Sequence, residues 1–149
     1  MIPVAPIADV SGIFLLDRLT KIWTQRSLGP GESLPIIRDI LHLTYIENTG
    51  AAFGLLRGSG LFLMSFSALS VMVLTVYLWR RGERGAAAAG WLLVLAGAAG
   101  NLYDRVCYGY VVDMIDLRVW PVFNVADIAI TTGVAWVLWT TVGPSRVRR

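Results

Sequence analysis

A run of apolar residues at positions 60–79 contains no charged side chain and is followed by Arg80 and Arg81. A helix that crosses the roughly 30 Å hydrocarbon core of a bilayer needs about 20 such residues. The whole chain is 56% hydrophobic and only 15% charged, with a mean hydropathy of +0.63, which fits a water-soluble fold poorly. The run therefore predicts a membrane-spanning helix.

Three further stretches approach the same length, at residues 2–23, 85–102 and 125–142. The first lacks the basic leader and the small-residue cleavage site of a secretory signal, so we expect a retained span. The stretch at 85–102 spaces small residues as Ala86-x-x-x-Gly90 and Ala96-x-x-x-Gly100, which lets helix backbones approach closely in lipid. We therefore expect an all-α membrane protein, a four-transmembrane-helix bundle forming one membrane-embedded domain over residues 1–149.

Two polar connections separate these spans, at residues 24–59 and 103–123. The first contains a turn sequence, Asn48-Thr49-Gly50, preceded by apolar residues with a period of two, namely Leu41, Leu43 and Tyr45. This pattern predicts a strand and a turn, and the β-branched pair Val111-Val112 favours extended backbone in the second connection. Because irregular backbone at membrane depth needs protein or water around it, we expect the two to fold together. The predicted result is a small extracytoplasmic β-rich cap between spans 1 and 2, at one end of the bundle.

With four spans, both termini lie on the same side as the short loop between the second and third spans. That side carries arginines at high density, at positions 80, 81, 84, 146, 148 and 149. The density of basic residues on that side predicts that the termini are cytoplasmic, although the total number of basic residues on the two sides does not.

Four acidic residues lie near the predicted span ends on the opposite side: Asp17, Asp104, Asp113 and Asp127. A charged side chain at mid-bilayer costs on the order of 2.5–3.5 kcal/mol, and less near the interface, so such acids are functional candidates. The simpler alternative is that each acid marks a water-exposed helix end. Their occurrence together with Asn, Arg and Lys residues favours a shared polar site.

Helical spacing places polar residues on shared faces, as three pairs: Asn124 with Asp127 on the fourth span, Asn101 with Arg105 on the third, and Asp17 with Lys21 on the first. If these faces meet in one cavity, Asp113 on the extended connection can approach Asp127. Two carboxyl groups in a low-dielectric site do not ionise together easily, so one keeps a proton while the other is a base. Such a pair can activate water against an amide, without a metal, a cofactor or a covalent intermediate.

Other chemistries lack the necessary residues. The only histidine, His42, lies in the polar connection, where a solvated or packing role is the simpler interpretation than Ser-His catalysis. The only cysteine, Cys107, has no accompanying motif and is expected to be a small packed side chain. A metal site would consist almost wholly of carboxylates, which does not suit a zinc hydrolase. The net charge of +3 comes from arginine clusters beside apolar runs, so nucleic acid is not an expected partner.

Five ordered blocks of the sequence resemble the lipoprotein signal peptidase (signal peptidase II) family, a family of bacterial membrane aspartyl proteases. The blocks are Asp17-Arg-Leu-Thr-Lys21, Glu47-Asn-Thr-Gly-Ala-Ala-Phe-Gly54, Gly100-Asn-Leu-Tyr-Asp-Arg105, Val111-Val-Asp113 and Phe123-Asn-Val-Ala-Asp127. They are distributed over essentially the whole chain in the order that the family shows.

The resemblance implies that Asp113 and Asp127 are the catalytic pair. It also implies that substrate and catalytic pair are positioned by Asn101, Arg105, Asn124, Asn48, Gly50, Asp17 and Lys21. The implied reaction is hydrolysis of the bond just before a diacylglyceryl-modified cysteine, which releases the signal peptide of a prolipoprotein. The implied setting is the bacterial cytoplasmic (inner) membrane, with the active site near the extracytoplasmic side, membrane lipids as partners, a monomeric enzyme and no cofactor.

Two departures from the family pattern leave alternatives open. Asp9 lies inside the first span, and Met114 stands where the family usually has an aromatic residue. Asp116 is a second acid in the same loop as Asp113 and could take its place.

There are two competing interpretations of the protein's function: a small proton- or ion-translocating subunit with buried acids, and a non-catalytic assembly factor.

Overall fold

The computed structural model describes residues 4–50, 59–81 and 86–142, with the side chains of residues 4–9, 81 and 86 left out, so the Asp9 side chain lies outside the description. Over these residues the elements in chain order are α1 (Val4–Ser27), β1 (Ser33–Ile37), β2 (Leu41–Asn48), α2 (Gly60–Arg81), α3 (Ala86–Tyr108), β3 (Val111–Asp116) and α4 (Val125–Val142). The protein is mostly helical, with a small antiparallel sheet.

The third helix is the centre of the helical part, because α3 packs against α1, α2 and α4. Glycines make the contact with α4 possible. A Cβ atom on Gly90 would fall 2.8 Å from the carbonyl oxygen of Gly133, and one on Gly133 would fall 2.9 Å from the backbone nitrogen of Val94. No side chain fits at such distances, so the two helices touch backbone to backbone. The close approach predicted from the small-residue spacing is confirmed at Gly90.

The three strands form an antiparallel sheet in the order β1-β2-β3. β1 and β2 form a hairpin between α1 and α2, and β3 comes from the connection between α3 and α4. The strand predicted around residues 41–45 is confirmed. The cap is therefore not built from the first connection alone, because the second connection supplies its third strand. The two connections fold together, as predicted.

The register between β2 and β3 determines which residues meet. Ile46 lies opposite Asp113, and Asn48 lies opposite Val111. Since side chains alternate between the faces of a strand, this register puts Ile46, Asn48 and Asp113 on one face. The opposite face holds the small apolar core of the sheet, which is formed by Tyr45, Val112 and Met114.

Two helices extend past the ends that the sequence indicated. α1 ends at Ser27 and α3 ends at Tyr108, whereas the predicted spans end at residues 23 and 102. The segment 103–108, which was expected to be extended, is helical because its acid, Asp104, is fully buried and paired with basic residues of α1. The expectation that Cys107 is packed is wrong, since its side chain is exposed on the outer face of the last turn of α3.

Apolar side chains cover the outside of the helices, including Leu61, Phe66, Val73 and Leu138, each more than half exposed. In the described part of the chain, two helices are long and apolar enough to cross a membrane, over Gly60–Arg80 and Val125–Val142. In α1 and α3, which are 24 and 23 residues long, polar residues gather toward one end and face each other. Exposed apolar surface on this scale is typical of a membrane protein, while the number of spans stays a prediction.

Candidate active site

The fourth helix begins with a reciprocal pair of hydrogen bonds between Asn124 and Asp127. The side-chain Oδ1 of Asn124, which precedes the helix, accepts from the backbone N–H of Asp127 at 2.9 Å. Asp127 Oδ2 accepts from the backbone N–H of Asn124 at 3.3 Å. This capping box satisfies amide groups of the first turn that have no partner within the helix. It also fixes the Asp127 carboxylate at a helix N-terminus, where the helix dipole favours a negative charge.

Asp113, on β3, is held by two asparagine side chains. Asn124 Nδ2 donates to Asp113 Oδ1 at 2.7 Å, and Asn48 Nδ2 donates to Asp113 Oδ2 at 2.9 Å. Asn48 ends β2, and its Oδ1 accepts from the backbone N–H of Gly50 at 2.9 Å. Because Asn124 bonds to both acidic residues, it joins the strand that carries Asp113 to the helix turn that carries Asp127.

Asn101, on α3, connects the second acid to the interior. Its Nδ2 donates to Asp127 Oδ1 at 2.8 Å. Its Oδ1 accepts from Lys21 Nζ at 3.0 Å and from Asn124 Nδ2 at 3.1 Å. These two donors fix the orientation of the amide, so that its NH₂ group faces the carboxylate. Asp127 thus has a donor on each of its oxygens.

A layer of buried charges lies beneath Asn101. Lys21 Nζ is 2.8 Å from Asp17 Oδ2 and 2.8 Å from Asp104 Oδ2, and all three side chains are fully buried. Arg18 forms a second ion pair with Asp104. Burying charges is costly unless they are paired and hydrogen-bonded. Two acids and two bases balance each other here, which makes the layer a fixed support for the residues above it.

Gly100 makes room for this layer between α1 and α3. A Cβ atom at this position would fall 2.6 Å from Asp17 Oδ2 and 3.3 Å from its Cγ. Asp17 cannot easily move away, because its Oδ1 accepts from the backbone N–H of Ala126 of α4 at 3.0 Å. The small-residue spacing predicts a close backbone approach at Gly100, but the atoms that the structure places there belong to the Asp17 carboxyl group and not to a neighbouring backbone.

Gly100→Ala is expected to lower the free energy of unfolding by about 1–3 kcal/mol, the usual cost of inserting a methyl group into a packed site. Thermal unfolding in detergent measures the effect. Gly12→Ala on α1 is the matched control, because a Cβ atom there would meet no atom within 4 Å. Equal melting temperatures for the two variants would contradict the tight fit at Gly100.

Of the two acids, Asp113 is the one whose pKa the surroundings shift clearly. Burial raises its pKa from 3.8 to about 7, and the negative charge of Asp127 acts in the same direction. The hydrogen bonds from Asn48 and Asn124 and the charge of Lys21 oppose this rise. Asp113 therefore carries a proton for much of the time near neutral pH.

Both acids open onto one cavity of about 890 Å³. Its polar wall contains Asn48, Gly50, Asn101 and Arg105 in addition to Asp113 and Asp127. Arg105 lies one turn from Asn101 on α3, with its Nη1 3.5 Å from the backbone oxygen of Asn101. The apolar part of the lining includes Ile46, Val111, Trp120, Pro121, Val122, Phe123 and Ile130. The cavity can hold a peptide with its amide at the acids and apolar groups against the apolar lining.

A family model described as signal peptidase (SPase) II matches residues 10–143. The chain belongs to the signal peptidase II family. Membership makes it an aspartic-type protease of the membrane, as the sequence blocks predicted.

Relatives and solved structures agree with this membership of the signal peptidase II family. A lipoprotein signal peptidase of Halothermothrix orenii is 40% identical over 123 residues, which is 83% of this chain and 85% of that one. One from Syntrophomonas wolfei is 45% identical over 121 residues, 81% of each chain. A solved structure described as a bacterial membrane enzyme is 28% identical with a TM-score of 0.84, covering 97% of this chain and 94% of the other. A second with the same description has a TM-score of 0.82 at 29% identity, covering 91% of each.

The structure brings together all the site residues suggested by the resemblance to signal peptidase II, but in two layers. Six of them line the cavity: Asp113, Asp127, Asn101, Arg105, Asn48 and Gly50. Asn124, Asp17 and Lys21 are fully buried and do not line it. These three can hold the acids and Asn101 in place but cannot touch a substrate. Residues 51–54 of the second motif lie outside the described residues.

Asp116 does not take the place of Asp113. It lies three residues further along β3 and therefore points to the other face of the strand. Its carboxylate accepts from Thr44 Oγ1 at 2.9 Å and from the backbone N–H of Arg118 at 2.8 Å. Although burial opposes the change, these hydrogen bonds and the Arg118 charge lower the pKa of Asp116. Asp116 is thus a structural residue of the sheet.

The residues of other chemistries lie elsewhere. His42 is on β2, with its Nδ1 3.1 Å from Ser33 Oγ, and Cys107 is on the outside of α3. Across residues 4–50, 59–81 and 86–142, no three His, Cys, Asp or Glu side chains are grouped as metal ligands would be.

Reasoning from sequence missed three contributors to the signal peptidase II site. Gly100 lies inside a quoted motif but was assigned only to helix packing, and Arg18, in another motif, had no assigned role. The apolar lining at residues 120–123 was not foreseen, because an irregular segment has no periodicity to indicate which side faces a cavity. Its one readable signal was Trp120-Pro121, directly before the motif that begins at Phe123.

Proposed function

We propose that the protein is a membrane aspartic endopeptidase that removes the signal peptide from diacylglyceryl-modified bacterial prolipoproteins. It cleaves just before the lipidated cysteine, using a water molecule activated by Asp113 and Asp127. The observation that carries the proposal is that two carboxylates from different elements line one cavity and are joined through Asn124. Relatives named lipoprotein signal peptidase support the substrate class.

The two acids are suited to different halves of the reaction. Asp127 lies at the N-terminus of α4, where the helix dipole stabilises a negative charge, so it is the base that takes a proton from water. The water oxygen then bonds to the carbonyl carbon of the scissile amide. Asp113, which holds a proton near neutral pH, gives it to the leaving nitrogen as the carbon–nitrogen bond breaks. One product is the signal peptide with a new carboxylate, and the other carries a free amine on the lipidated cysteine.

The remaining cavity residues position the substrate. Arg105 and Asn48 can bind peptide carbonyl oxygens beside the acids, and Gly50 lets the chain come close to the backbone. The apolar lining at Val122, Phe123 and Ile130 suits lipid tails or an apolar signal helix that enters from the bilayer. The relative positions of the two catalytic carboxyl groups are held by Asn101 and Asn124, which are supported by Lys21 and Asp17.

The surrounding topology completes the proposal. α1, α2, α3 and α4 are four spans of the bacterial cytoplasmic membrane, with cytoplasmic termini and the sheet and acids near the extracytoplasmic side. The long α1 and α3 support this, because their charges are concentrated at one end and are paired there. The enzyme acts as a monomer in contact with membrane lipids and the lipid-modified prolipoprotein.

Purified protein in detergent is expected to release the signal peptide from a lipidated prolipoprotein without added metal or ATP. Mass spectrometry of both products identifies the cleaved bond, which should precede the modified cysteine. The same precursor without its diacylglyceryl group is the control. Failure of folded protein to cleave the lipidated precursor would contradict the proposal and favour the ion-translocating alternative.

The pH dependence of kcat/KM is expected to show a fall above about pH 7, because Asp113 loses the proton that it must donate. Asn48→Ala removes a donor that stabilises the charged form of Asp113, so the pKa of Asp113 rises and the fall moves to higher pH. Thr49→Ala is the control, since Thr49 lines the same cavity and does not donate to Asp113. A fall in the Asn48→Ala profile at unchanged or lower pH would contradict Asp113 as the proton donor.

Arg105→Ala is expected to reduce kcat/KM by about tenfold or more, at least ~1.5 kcal/mol, because a charge-assisted hydrogen bond to the substrate is lost. Arg118→Ala serves as the control, since Arg118 pairs with Asp116 away from the cavity. Both variants are assayed with the lipidated precursor. Unchanged kinetics for Arg105→Ala would show that Arg105 only completes the end of α3.

A further inference from the structure

Thr131 is the polar residue that α4 contributes to the cavity beyond Asp127. It follows Asp127 by four residues, so it shares a helix face with that acid and lies about 6 Å further along the helix axis. Ile130, Val122 and Phe123 surround this part of the cavity with apolar lining. In the proposed topology α4 runs inward from its first residue, so Thr131 lies deeper in the membrane than the acids.

The hydroxyl of Thr131 is not used within its own helix. Serine and threonine side chains in helices can donate to a carbonyl oxygen of the preceding turn, and Thr75, Thr140 and Thr141 do so on the outside of α2 and α4. The Thr131 side chain makes no hydrogen bond with any residue of the described ranges 4–50, 59–81 and 86–142. Its Oγ1–H is therefore available as a donor to a molecule in the cavity.

The position of Thr131 is also where the cavity meets the outer surface of α4. Thr131 lines the cavity and is exposed, and Val134, the next residue along the same face, is 43% exposed. In a bilayer, the exposed apolar surface of this helix contacts lipid. A lipid chain that enters along this face passes Val134 and then Thr131 before its polar end reaches Asp127.

A lipid-modified cysteine brings hydrogen-bond acceptors to this depth. The ester groups of a diacylglyceryl substituent lie a few bonds beyond the cysteine sulfur, and the acyl chains follow them. An ester has no donor of its own, so its carbonyl oxygen is costly to bury unpaired beside Ile130 and Phe123. A helical signal segment, in contrast, satisfies its carbonyl oxygens internally. An ester carbonyl is thus the acceptor that gains most from a hydroxyl at this position.

We propose that Thr131 Oγ1 donates a hydrogen bond to an ester carbonyl oxygen of the diacylglyceryl group, and that this contact lets the enzyme distinguish ester-linked from ether-linked lipid on the cysteine. The acyl chains then lie against Ile130 and the exposed face at Val134. The inference rests on the proposed function, since it names the contact that recognises the lipid part of that substrate. Thr131 is a binding residue and takes no part in breaking the bond.

The test compares two synthetic precursor peptides of the same sequence. The cysteine of one carries a diacylglyceryl group, and that of the other carries a dialkylglyceryl group with chains of equal length, which lacks the ester carbonyl oxygens. Wild-type protein in detergent is expected to prefer the diacyl precursor by about three- to tenfold in kcat/KM, mostly through KM, as one neutral hydrogen bond contributes. Equal kcat/KM values for the two precursors would overturn the proposal.

Thr131→Val keeps the shape of the side chain and removes the donor, so the ratio of the two kcat/KM values should fall close to one. Thr131→Ser keeps a hydroxyl and should retain the preference. Thr132→Val is the matched control, because Thr132 is exposed on the same helix and does not line the cavity. Its ratio should equal that of the wild type.

Two results with Thr131→Val would overturn the proposal. One is an unchanged ratio, and the other is an equal fall in kcat/KM for both precursors, which would indicate a contact with the peptide rather than the lipid. Failure of folded wild-type protein to cleave either precursor would contradict the proposed function itself. That outcome is distinct from cleavage of both precursors without preference, which would remove only the role of Thr131.

Discussion

Asp127→Asn and Asp113→Asn are each expected to lower kcat by about 10²–10⁴-fold, the range that a general base or acid contributes. The single carbonyl oxygen of an asparagine at 127 can still accept one of the two hydrogen bonds that Asp127 accepts from Asn101 and from the backbone of Asn124. The Asn124 Oδ1 still caps the helix at the backbone N–H of residue 127, so the fold should remain. The asparagine at 127 cannot take a proton from water. The asparagine at 113 likewise cannot give a proton to the leaving nitrogen.

Asp116→Asn is the comparison that makes this result specific. Asp116 is a buried acid on the same strand, but it faces Thr44 and Arg118 on the other side. Its variant should retain wild-type kcat with the lipidated precursor. Wild-type turnover by Asp113→Asn together with loss of turnover in Asp116→Asn would exchange the roles of the two acids.

Lys21→Met is expected to destabilise the protein by about 3–5 kcal/mol, the usual cost of removing one partner from a buried ion pair. Lys21 is fully buried and lies 2.8 Å from both Asp17 and Asp104. Without it, Asp104 keeps its ion pair with Arg18, while Asp17 loses the cation that neutralises it. Asn101 also loses one of the two donors that orient its amide toward Asp127.

Thermal unfolding in detergent, together with kcat at a temperature where the variant is folded, measures both consequences. Arg26→Met is the matched control, because Arg26 is an exposed basic residue in the last turn of the same helix. Surface substitutions of this kind usually change stability by no more than about 0.5 kcal/mol. A melting temperature for Lys21→Met close to that of Arg26→Met would contradict the role of the buried charge layer.

The parts of the site that depend on local spacing could be read from the sequence. Asn124 and Asp127, three residues apart at the start of a helix, are a capping box by type and spacing. Asp17 and Lys21, four apart, form an ion pair as expected. The apolar run of α2 and the β2 strand are equally local, because their periodicity alone identifies the element.

Contacts between distant segments could not be read in this way. That Asn124 bonds to Asp113 depends on β3 pairing with β2, and nothing in either strand specifies this register before the chain has folded. The sequence predicts the end of the third span at residue 102, where the apolar stretch stops shortly before Asp104 and Arg105. The partners of Asp104, which are Arg18 and Lys21, lie more than eighty residues away in the chain. Burial of charge is therefore visible only in the three-dimensional structure.

The central claim is that Asp113 and Asp127 act together on one water molecule. An experimental structure with a bound peptide analogue, in which a hydroxyl-bearing carbon replaces the scissile amide, tests it most directly. We expect the hydroxyl oxygen to lie within hydrogen-bonding distance, about 2.6–3.2 Å, of a carboxylate oxygen of each acid. A hydroxyl that contacts only one of the two acids, or an Asp127 carboxylate turned away from the analogue, would contradict the claim.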